Sequence, residues 1–171
     1  MQKRVRVMAV PLLAVGMLAG CDNDKTTRPS NIVYTATLSG ANERPNATTS
    51  TATGSWTGTL DPNTNVMTYT LTFSGLSAAS TGGHIHAQAD ATTNASVVLN
   101  FANFSGATTA LTTGTTSGTA AGAVNMSGGT TNGLTITGDS LRKAMDAGMA
   151  YVNVHSTANT GGEIRGQIRR Q

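Results

Sequence analysis

The chain has 171 residues, of which 38% are hydrophobic, and its 11 Lys and Arg against 8 Asp and Glu give a formal net charge of +3. Three of the 11 cations, Lys3, Arg4 and Arg6, lie in the first 20 residues, so the remainder carries eight basic and eight acidic side chains. This neutral remainder has no basic segment with interleaved aromatic residues, which argues against nucleic acid as a partner. About 150 residues are enough to bury the core of a single domain.

The first 21 residues have the features of an export signal. Their cations precede an uncharged apolar run at residues 7–19, and this run is shorter than the about 20 apolar residues of a transmembrane helix. Residues 18–21, Leu-Ala-Gly-Cys, resemble the bacterial lipobox, which implies that Cys21 is lipidated and becomes the mature N-terminus. An ordinary secretory signal followed by a free cysteine is the alternative.

The lipobox resemblance also implies a location. Lipid on Cys21 would anchor the chain to a membrane of the bacterial cell envelope, on its periplasmic or cell-surface side. The polar residues 22–31 include Pro29 and are predicted to form a flexible tether. A single domain at residues 32–171 would follow this tether.

The first half of this domain has three segments rich in β-branched and aromatic residues, which favour strands. They are residues 32–38, 54–60 and 66–73. The turn formers at residues 61–65 join the last two of these segments, so we predict an antiparallel hairpin there. Trp56 and Tyr69 are the large side chains expected to anchor it.

The second half is predicted to contain four more strands and one helix. The strands are residues 84–88, 96–101, 150–155 and 163–169. Residues 106–122 consist almost wholly of Gly, Ala, Thr and Ser, a composition that fits either a flexible loop or an exposed edge strand. The helix is predicted to begin with Asp139 as its cap and to end at Gly148 in the left-handed conformation, with an apolar face on one side. That face comprises Leu141, Ala144 and Met145.

Seven to nine short strands, one short helix and no alternation of strands with helices predict an all-β fold. Hairpin spacing and frequent Gly and Thr favour an antiparallel β-sandwich. An open barrel is the alternative that the same signals permit.

The segment Tyr151–His155 has the alternation of a half-buried strand. Successive strand side chains point to opposite faces, so Val152 and Val154 share one face while Tyr151, Asn153 and His155 share the other. We therefore expect the first face to pack on the core and the second to stay accessible.

The other two histidines of the chain repeat this arrangement. His84 and His86 flank Ile85, so both segments send their aliphatic residues to one face and their histidines to the opposite face. This placement of every histidine in the chain is the main indication of a functional site in the sequence.

Five segments together resemble the CHRD domain, a module named after chordin and found in bacterial exported proteins. They are residues 38–45, 71–76, 84–86, 151–155 and 162–168, in an order that extends the similarity over residues 32–169. The CHRD domain has been likened to Cu/Zn superoxide dismutase. The resemblance therefore implies an immunoglobulin-like or superoxide-dismutase-like antiparallel β-sandwich with one short helix.

The segment Gly-His-Ile-His at residues 83–86 is similar to the paired copper ligands on one strand of the dismutase. This comparison implies His155 as a third ligand from a distant strand. The complete dismutase site also needs a fourth copper-binding histidine, a bridged zinc site and disulfide cysteines. Because the chain has three histidines and one cysteine, dismutase activity is not expected.

Metal binding is nevertheless chemically reasonable. Histidines at positions i and i+2 of a strand lie about 6.5–7 Å apart on one face, and their rings can converge on an ion at about 2.0–2.1 Å. We therefore consider His84, His86 and His155 as ligands of copper or zinc. Glu163 and Asp90 are candidate oxygen ligands or hydrogen-bond partners that orient an imidazole.

The alternative is a purely structural network, in which the histidines bond to loop carbonyls and to Asn153 or Glu163. Glu163 and Arg165 share strand parity, which allows them to pair. This contact is either an exposed ion pair worth about 0–1 kcal/mol or a pair of ligand-binding groups beside the histidines. Nucleophilic catalysis has no support, since no serine lies in a recognisable elbow and Cys21 is assigned to the lipid.

The first functional hypothesis is therefore a lipid-anchored, non-catalytic binding or structural module outside the cytoplasm, which engages a protein, a glycan or a metal without turnover. The second is a copper or zinc protein that uses the three histidines.

Overall fold

The computed structural model describes residues 29–130 and 133–171. The predicted signal at residues 1–21, with Cys21, and the tether up to residue 28 lie outside this part of the chain. Among the described residues, no helix has the length and apolar character needed to cross a membrane.

Within the described residues the chain forms ten strands, one α-helix and one short 3₁₀ helix, Gly40–Asn42. The strands are β1 Ile32–Ser39, β2 Thr53–Asp61, β3 Val66–Ser74, β4 Ser80–Ala87, β5 Val97–Asn100, β6 Ala107–Thr109, β7 Gly118–Asn125, β8 Ala150–Ser156, β9 Ile164–Gln167 and β10 Arg169–Arg170. The helix is α1 Gly138–Asp146.

The strands form one antiparallel sheet that folds over at β1. Their order is β5-β4-β8-β9-β1-β2-β3-β7-β6, and β10 also pairs with β1. β1 pairs with β2 along its whole length but with β9 only where Ser39 lies opposite Arg165. The two halves of the sheet therefore separate at β1 and face each other across the core. The predicted all-β sandwich with one short helix is confirmed.

The predicted hairpin is formed by β2 and β3. Asp61 pairs with Val66 at its end, and the Asn65 amide, at a φ of 53°, donates to the Asp61 carbonyl at 2.8 Å. Trp56 and Tyr69 are both buried in the core. Asparagine tolerates this left-handed conformation better than most residues, so the turn composition explains why the hairpin closes here.

The two halves of the sheet contribute alternate side chains to one core. Tyr34, Trp56 and Leu71 enter it from β1, β2 and β3, while Ile85 and Val152 enter from β4 and β8. All five are buried completely. The predicted aliphatic face of the histidine-bearing strands is thus the face that packs on the core.

Strand β4 begins at Ser80, four residues before the predicted start. Gly82 and Gly83 pair with β8 opposite His155 and Val154, although glycine is a weak strand former. A Cβ atom at Gly83 would lie 2.9 Å from Leu111 Cδ1, so close packing requires glycine at this position. Gly83, which made this segment resemble a loop, is therefore needed by the strand.

The low-complexity segment at residues 106–122 contains both predicted alternatives. It includes the edge strand β6, the irregular connection at residues 110–117 and the beginning of β7, which pairs with β3 inside the sheet.

Helix α1 differs from the prediction at its start. Thr137, and not Asp139, is the cap, because the Thr137 hydroxyl accepts a hydrogen bond from the Ser140 amide at 3.1 Å. Asp139 lies in the first turn, where its negative charge interacts favourably with the positive end of the helix dipole. Gly148 has a φ of 67° and ends the helix as predicted.

Candidate functional site

The polar face of β4, β8 and β9 is covered by residues 88–96, which we call the covering loop. The Arg165 guanidinium donates to two carbonyls of this loop, and His86 bonds to a third. Tyr151 and Asn153 are consequently only 2% and 3% exposed. The expectation of a half-buried strand was therefore wrong: β8 is buried on both faces, one by the core and one by the covering loop.

The three histidines converge beneath and beside this loop. One ring nitrogen from each of His84, His86 and His155 lies within 4.8 Å of the other two. The closest pair is His84 Nδ1 and His155 Nε2, at 3.0 Å. Two nitrogens that share a tetrahedral ion at about 2.0–2.1 Å are about 3.3 Å apart. The His84–His155 pair is thus already near ligand spacing, whereas the ring nitrogen of His86 lies within 4.8 Å of the other two.

Backbone carbonyls fix the orientation of two of these imidazoles. His86 Nδ1 donates to the Ala95 carbonyl at 2.8 Å, and His155 Nδ1 donates to the Thr160 carbonyl at 2.9 Å. In a neutral ring the proton on Nδ1 leaves a lone pair on Nε2. Both rings therefore carry an unprotonated Nε2, which is the state in which a ring nitrogen binds a metal. The Nε2 of His155 faces His84 at 3.0 Å.

Asn153 contacts the second ring nitrogen of His86. Its side-chain oxygen lies 3.1 Å from His86 Nε2. Because the proton of a neutral His86 is on Nδ1, its Nε2 can only accept a hydrogen bond. The side-chain amide of Asn153 is therefore turned by 180°, so that its NH₂ group donates to Nε2. Asn153 therefore occupies the Nε2 lone pair of His86 that a metal would need.

The environment keeps the cluster neutral. Burial, together with the positive charges that His155 and His86 can carry, lowers the pKa of His84 to about 4. Burial also lowers the pKa of His86 and of His155, against hydrogen bonds that raise it. Three neutral imidazoles at neutral pH are ligands that need not lose a proton to bind an ion.

Tyr151 connects His86 to Arg165. The His86 ring stacks on the tyrosine ring with centroids 4.5 Å apart and an angle of 5° between planes. The Arg165 guanidinium carbon lies 3.5 Å from the same centroid. Both groups cannot occupy one ring face at these distances, so the tyrosine lies between them. Arg165 therefore acts on the histidine through Tyr151 and not by direct contact.

The expected pair of Glu163 and Arg165 does not form. Arg165 donates to Asn94 Oδ1 at 2.7 Å, Asp90 O at 2.8 Å and Thr93 O at 2.9 Å, and no salt bridge of Arg165 occurs between described residues. This arginine is 1% exposed, so the surface ion pair was an incorrect expectation. The covering loop supplies neutral oxygens for the buried cation instead.

The two predicted carboxylates lie away from the imidazoles. Glu163 accepts hydrogen bonds of 2.6 Å from the Ser50 hydroxyl and the Ser77 amide. Burial raises the pKa of Glu163, but hydrogen bonds from Ser156, Ser50 and Ser77 outweigh burial and bring it to about 2.

The Asp90 carboxylate bonds to Thr92 and Thr93 in its own loop. These hydrogen bonds lower its pKa to about 2. Neither predicted carboxylate orients a histidine. Of the residues predicted to support the histidines, which are Asp90, Asn153, Glu163 and Arg165, only Asn153 forms a hydrogen bond with one of them.

Glu43 is a buried acid that the sequence reasoning did not single out. It is 3% exposed, and its Oε1 has no hydrogen-bond partner among the described residues. Burial raises the pKa of Glu43 to about 7, although the Arg44 amide and the charges of Arg165 and Arg44 oppose the shift. Its carboxyl group packs against Gly162, where a Cβ atom would come within 2.5 Å of Glu43 Oε1. The motif position of Glu43 in residues 38–45 was the available signal.

The comparison with known families gives a match that covers most of the chain. The sequence model of the CHRD domain matches residues 34–168, well over half of the chain. No curated protein matches the sequence. The match contains the 3₁₀-helix loop with Glu43, the two histidine-bearing strands and the covering loop between them. The chain therefore belongs to the CHRD domain family.

Proposed function

We propose that this protein is a non-catalytic binding module that holds one copper or zinc ion through His84, His86 and His155. CHRD domains are of the extracellular or secreted type and support a binding or structural role. The metal is the ligand that the geometry of this particular chain favours, because its three histidines lie in one cluster.

One observation carries the proposal. His86 and His155 each donate Nδ1–H to a backbone carbonyl, at 2.8 and 2.9 Å, which leaves both Nε2 atoms unprotonated. The Nε2 of His155 faces His84 at 3.0 Å, and the Nε2 of His86 would exchange its 3.1 Å contact with Asn153 for the ion. Metal-binding histidines almost always donate their second N–H to a carbonyl, carboxylate or water, which sets the tautomer and orients the ring. The carbonyl contacts of His86 and His155 are those that metal-binding histidines make, and they are the reason that we favour a metal site over a structural network.

The donor set narrows the choice of ion. Imidazole nitrogens suit zinc and copper, whereas carboxylate and carbonyl oxygens suit magnesium and calcium. Three histidine ligands leave a fourth position open for water or for a group from a partner. The proposed partners of the module are accordingly the metal itself and a protein or glycan that reaches this position.

We further propose that Cys21 carries lipid and anchors the module in the bacterial cell envelope, facing the periplasm or the cell surface. The lipobox-like residues 18–21 and the polar residues that follow support this assignment. Mass spectrometry of the mature N-terminal peptide tests it: a diacylglycerol adduct on Cys21 is expected, and an unmodified cysteine would contradict it.

The metal assignment is tested by removing bound metal with a chelator, exposing the purified protein to copper or zinc, and measuring retained metal by mass spectrometry. About one ion per chain is expected, with a rise in melting temperature because the ion binds the folded state. His84→Gln should lose both effects. Asn63→Ala, in the exposed β2–β3 turn, should keep both.

Failure has a distinct signature. If the wild type retains no copper or zinc and His84→Gln still lowers the melting temperature, the three histidines form a structural network. The hydrogen bonds to Ala95 and Thr160 would then serve to tie the covering loop and the β8–β9 loop to the sheet.

A further inference from the structure

Hydrogen bonds within the three-histidine cluster occupy the atoms that an ion would use. Because His155 Nδ1 donates to the Thr160 carbonyl at 2.9 Å, its Nε2 can only accept a hydrogen bond. The atom that lies 3.0 Å from this Nε2 is His84 Nδ1, so His84 carries its proton on Nδ1 and donates it to His155. The lone pair of His84 then lies on Nε2, on the side of the ring that faces Gly82.

His86 is held by a different residue. Its Nδ1 donates to the Ala95 carbonyl at 2.8 Å, and its Nε2 accepts from the side-chain amide of Asn153, 3.1 Å away. His86 is 7% exposed and Asn153 is 3% exposed, so water has little access to either group. Ligation of an ion by His86 therefore requires that Asn153 gives up its hydrogen-bond acceptor.

The two hydrogen bonds oppose an incoming ion to different extents. His84 is half-buried, so its proton can move to Nε2 and meet water there while Nδ1 becomes a ligand. In the described part of the chain, the Asn153 side chain bonds to His86 and to no other group. A buried donor that loses its acceptor is unfavourable. The contact of Asn153 with His86 is thus the larger obstacle to a third metal–nitrogen bond.

We propose that Asn153 sets the metal affinity of the cluster by capping the Nε2 lone pair of His86 until an ion displaces it. This inference rests on the proposed metal function and concerns its regulation. His84 and His155 are half-buried, so an ion meets these two rings first, and His86 joins them when Asn153 turns away. The cap lowers the affinity below that of three uncapped imidazoles, which favours an exchangeable ion over a permanent structural one.

The test measures the zinc affinity of the purified, chelator-treated protein by competition with a chromophoric chelator. Asn153→Leu keeps the approximate size of the side chain but cannot bond to His86. It should bind zinc about tenfold more tightly than the wild type, because about 1.4 kcal/mol of hydrogen bonding no longer has to be broken. The zinc-free variant should melt at a lower temperature, and zinc should raise its melting temperature by more than that of the wild type.

Asn94→Leu is the matched control. Asn94 also bonds to a buried side chain, because its Oδ1 accepts from Arg165 at 2.7 Å, but it has no hydrogen bond to a histidine. This variant should bind zinc with the affinity of the wild type, although its stability falls. In a His86→Gln background, Asn153→Leu should give no gain in zinc affinity, because the lone pair that it uncaps is missing.

Heteronuclear NMR of the imidazole nitrogens tests the cap in the wild type and does not depend on the folding of a variant. Before zinc is added, His86 should carry its proton on Nδ1. Zinc should then shift the signals of His86 Nε2 and of the Asn153 side-chain amide together.

The proposal is overturned if His86 carries its proton on Nε2, or if zinc shifts the His86 signal and leaves that of the Asn153 amide in place. It is also overturned if Asn153→Leu binds zinc no more tightly than the wild type, in which case the metal function stands without the cap. If neither protein binds zinc or copper, the metal function fails and the inference fails with it.

Discussion

His84 and His155 meet diagonally across β4 and β8, with Nδ1 of His84 3.0 Å from Nε2 of His155. They are not direct cross-strand partners, because Gly82 lies opposite His155 and Asn153 lies opposite His84. A Cβ atom at Gly82 would come within 3.4 Å of the His84 ring. The His84 ring thus lies over Gly82, and its approach to His155 puts two basic groups in a partly buried setting.

The first prediction concerns acid stability of the metal-free protein. Burial and the two neighbouring histidines lower the folded-state pKa of His84 to about 4 from 6.5. Between these values the unfolded chain binds a proton that the folded protein does not, so stability is lost as pH falls from 6.5 towards 4. His84→Gln should remove part of this loss, on the order of 1–2 kcal/mol. Denaturant unfolding at pH 7 and pH 4 measures it, and parallel pH curves for the variant and the wild type would contradict it.

Glu43 should show the opposite dependence on pH. Burial raises its folded-state pKa from 4.5 to about 7, so the folded protein retains a proton that the unfolded chain has lost. The resulting stability is fully present below pH 4.5 and is lost as pH rises through 7. Glu43→Gln cannot ionise, so its stability relative to wild type should increase by roughly 3 kcal/mol between pH 4 and pH 8.

Glu163→Gln is the control for this prediction. The folded-state pKa of Glu163 is about 2, so its stabilisation is present above pH 4.5 and is lost as pH falls through 2. The Glu163→Gln variant should therefore lose stability relative to wild type as pH rises from 2 to 5. If Glu43→Gln follows the same direction as Glu163→Gln, the buried carboxyl of Glu43 does not carry the raised pKa.

The third prediction concerns the ring between His86 and Arg165. Tyr151→Phe keeps both stacked contacts and loses only the long 3.4 Å hydrogen bond from the Ala95 amide, so its cost should be below about 1 kcal/mol. Tyr151→Leu removes the aromatic and cation–π contacts and should cost about 2–4 kcal/mol. Equal destabilisation by the two substitutions in urea unfolding would show that the hydroxyl and not the ring carries the interaction.

The fourth prediction uses two adjacent glycines. Gly162 has a φ of 133°, and an added Cβ would come within 2.5–2.7 Å of the Glu43 carboxyl atoms. Gly162→Ala should therefore cost about 2–4 kcal/mol through strain and overlap. Gly161 has nothing within 4 Å of such an atom, so Gly161→Ala should change the free energy of unfolding by less than about 1 kcal/mol. The comparison fails if both variants unfold at the same denaturant concentration.

The strand parity of the histidines was predictable because side chains alternate with a period of two. Ile85 and Val152 had to share the core face once both segments were assigned as strands, and the structure buries both completely. The β2–β3 hairpin was also predictable, because residues 61–65 have strong turn preferences and the hairpin closes there, where Asp61 pairs with Val66. Local chemistry was sufficient in both cases.

The covering loop was not predictable from such patterns. Its backbone follows no repeating period, and its contacts depend on Arg165, which lies about 70 residues later in the chain. Nothing in a local segment indicates that an arginine will be buried by carbonyl groups brought from elsewhere. The burial of Glu43 was missed for the same reason, because it depends on the distant Gly162.

The pairing of β1 with the last strands also has a consequence for the order of folding. Ser39 pairs with Arg165, and Tyr34 pairs with Arg170, so the sandwich closes only when segments about 130 residues apart meet. Such non-local pairing makes β-sandwiches fold slowly, over milliseconds to seconds. During synthesis the ribosome releases β1 and its partner β2 long before β9 and β10 exist. For the export that we propose, this delay would keep the chain unfolded, and therefore competent to cross a membrane as an extended polymer, until its final strands have been made.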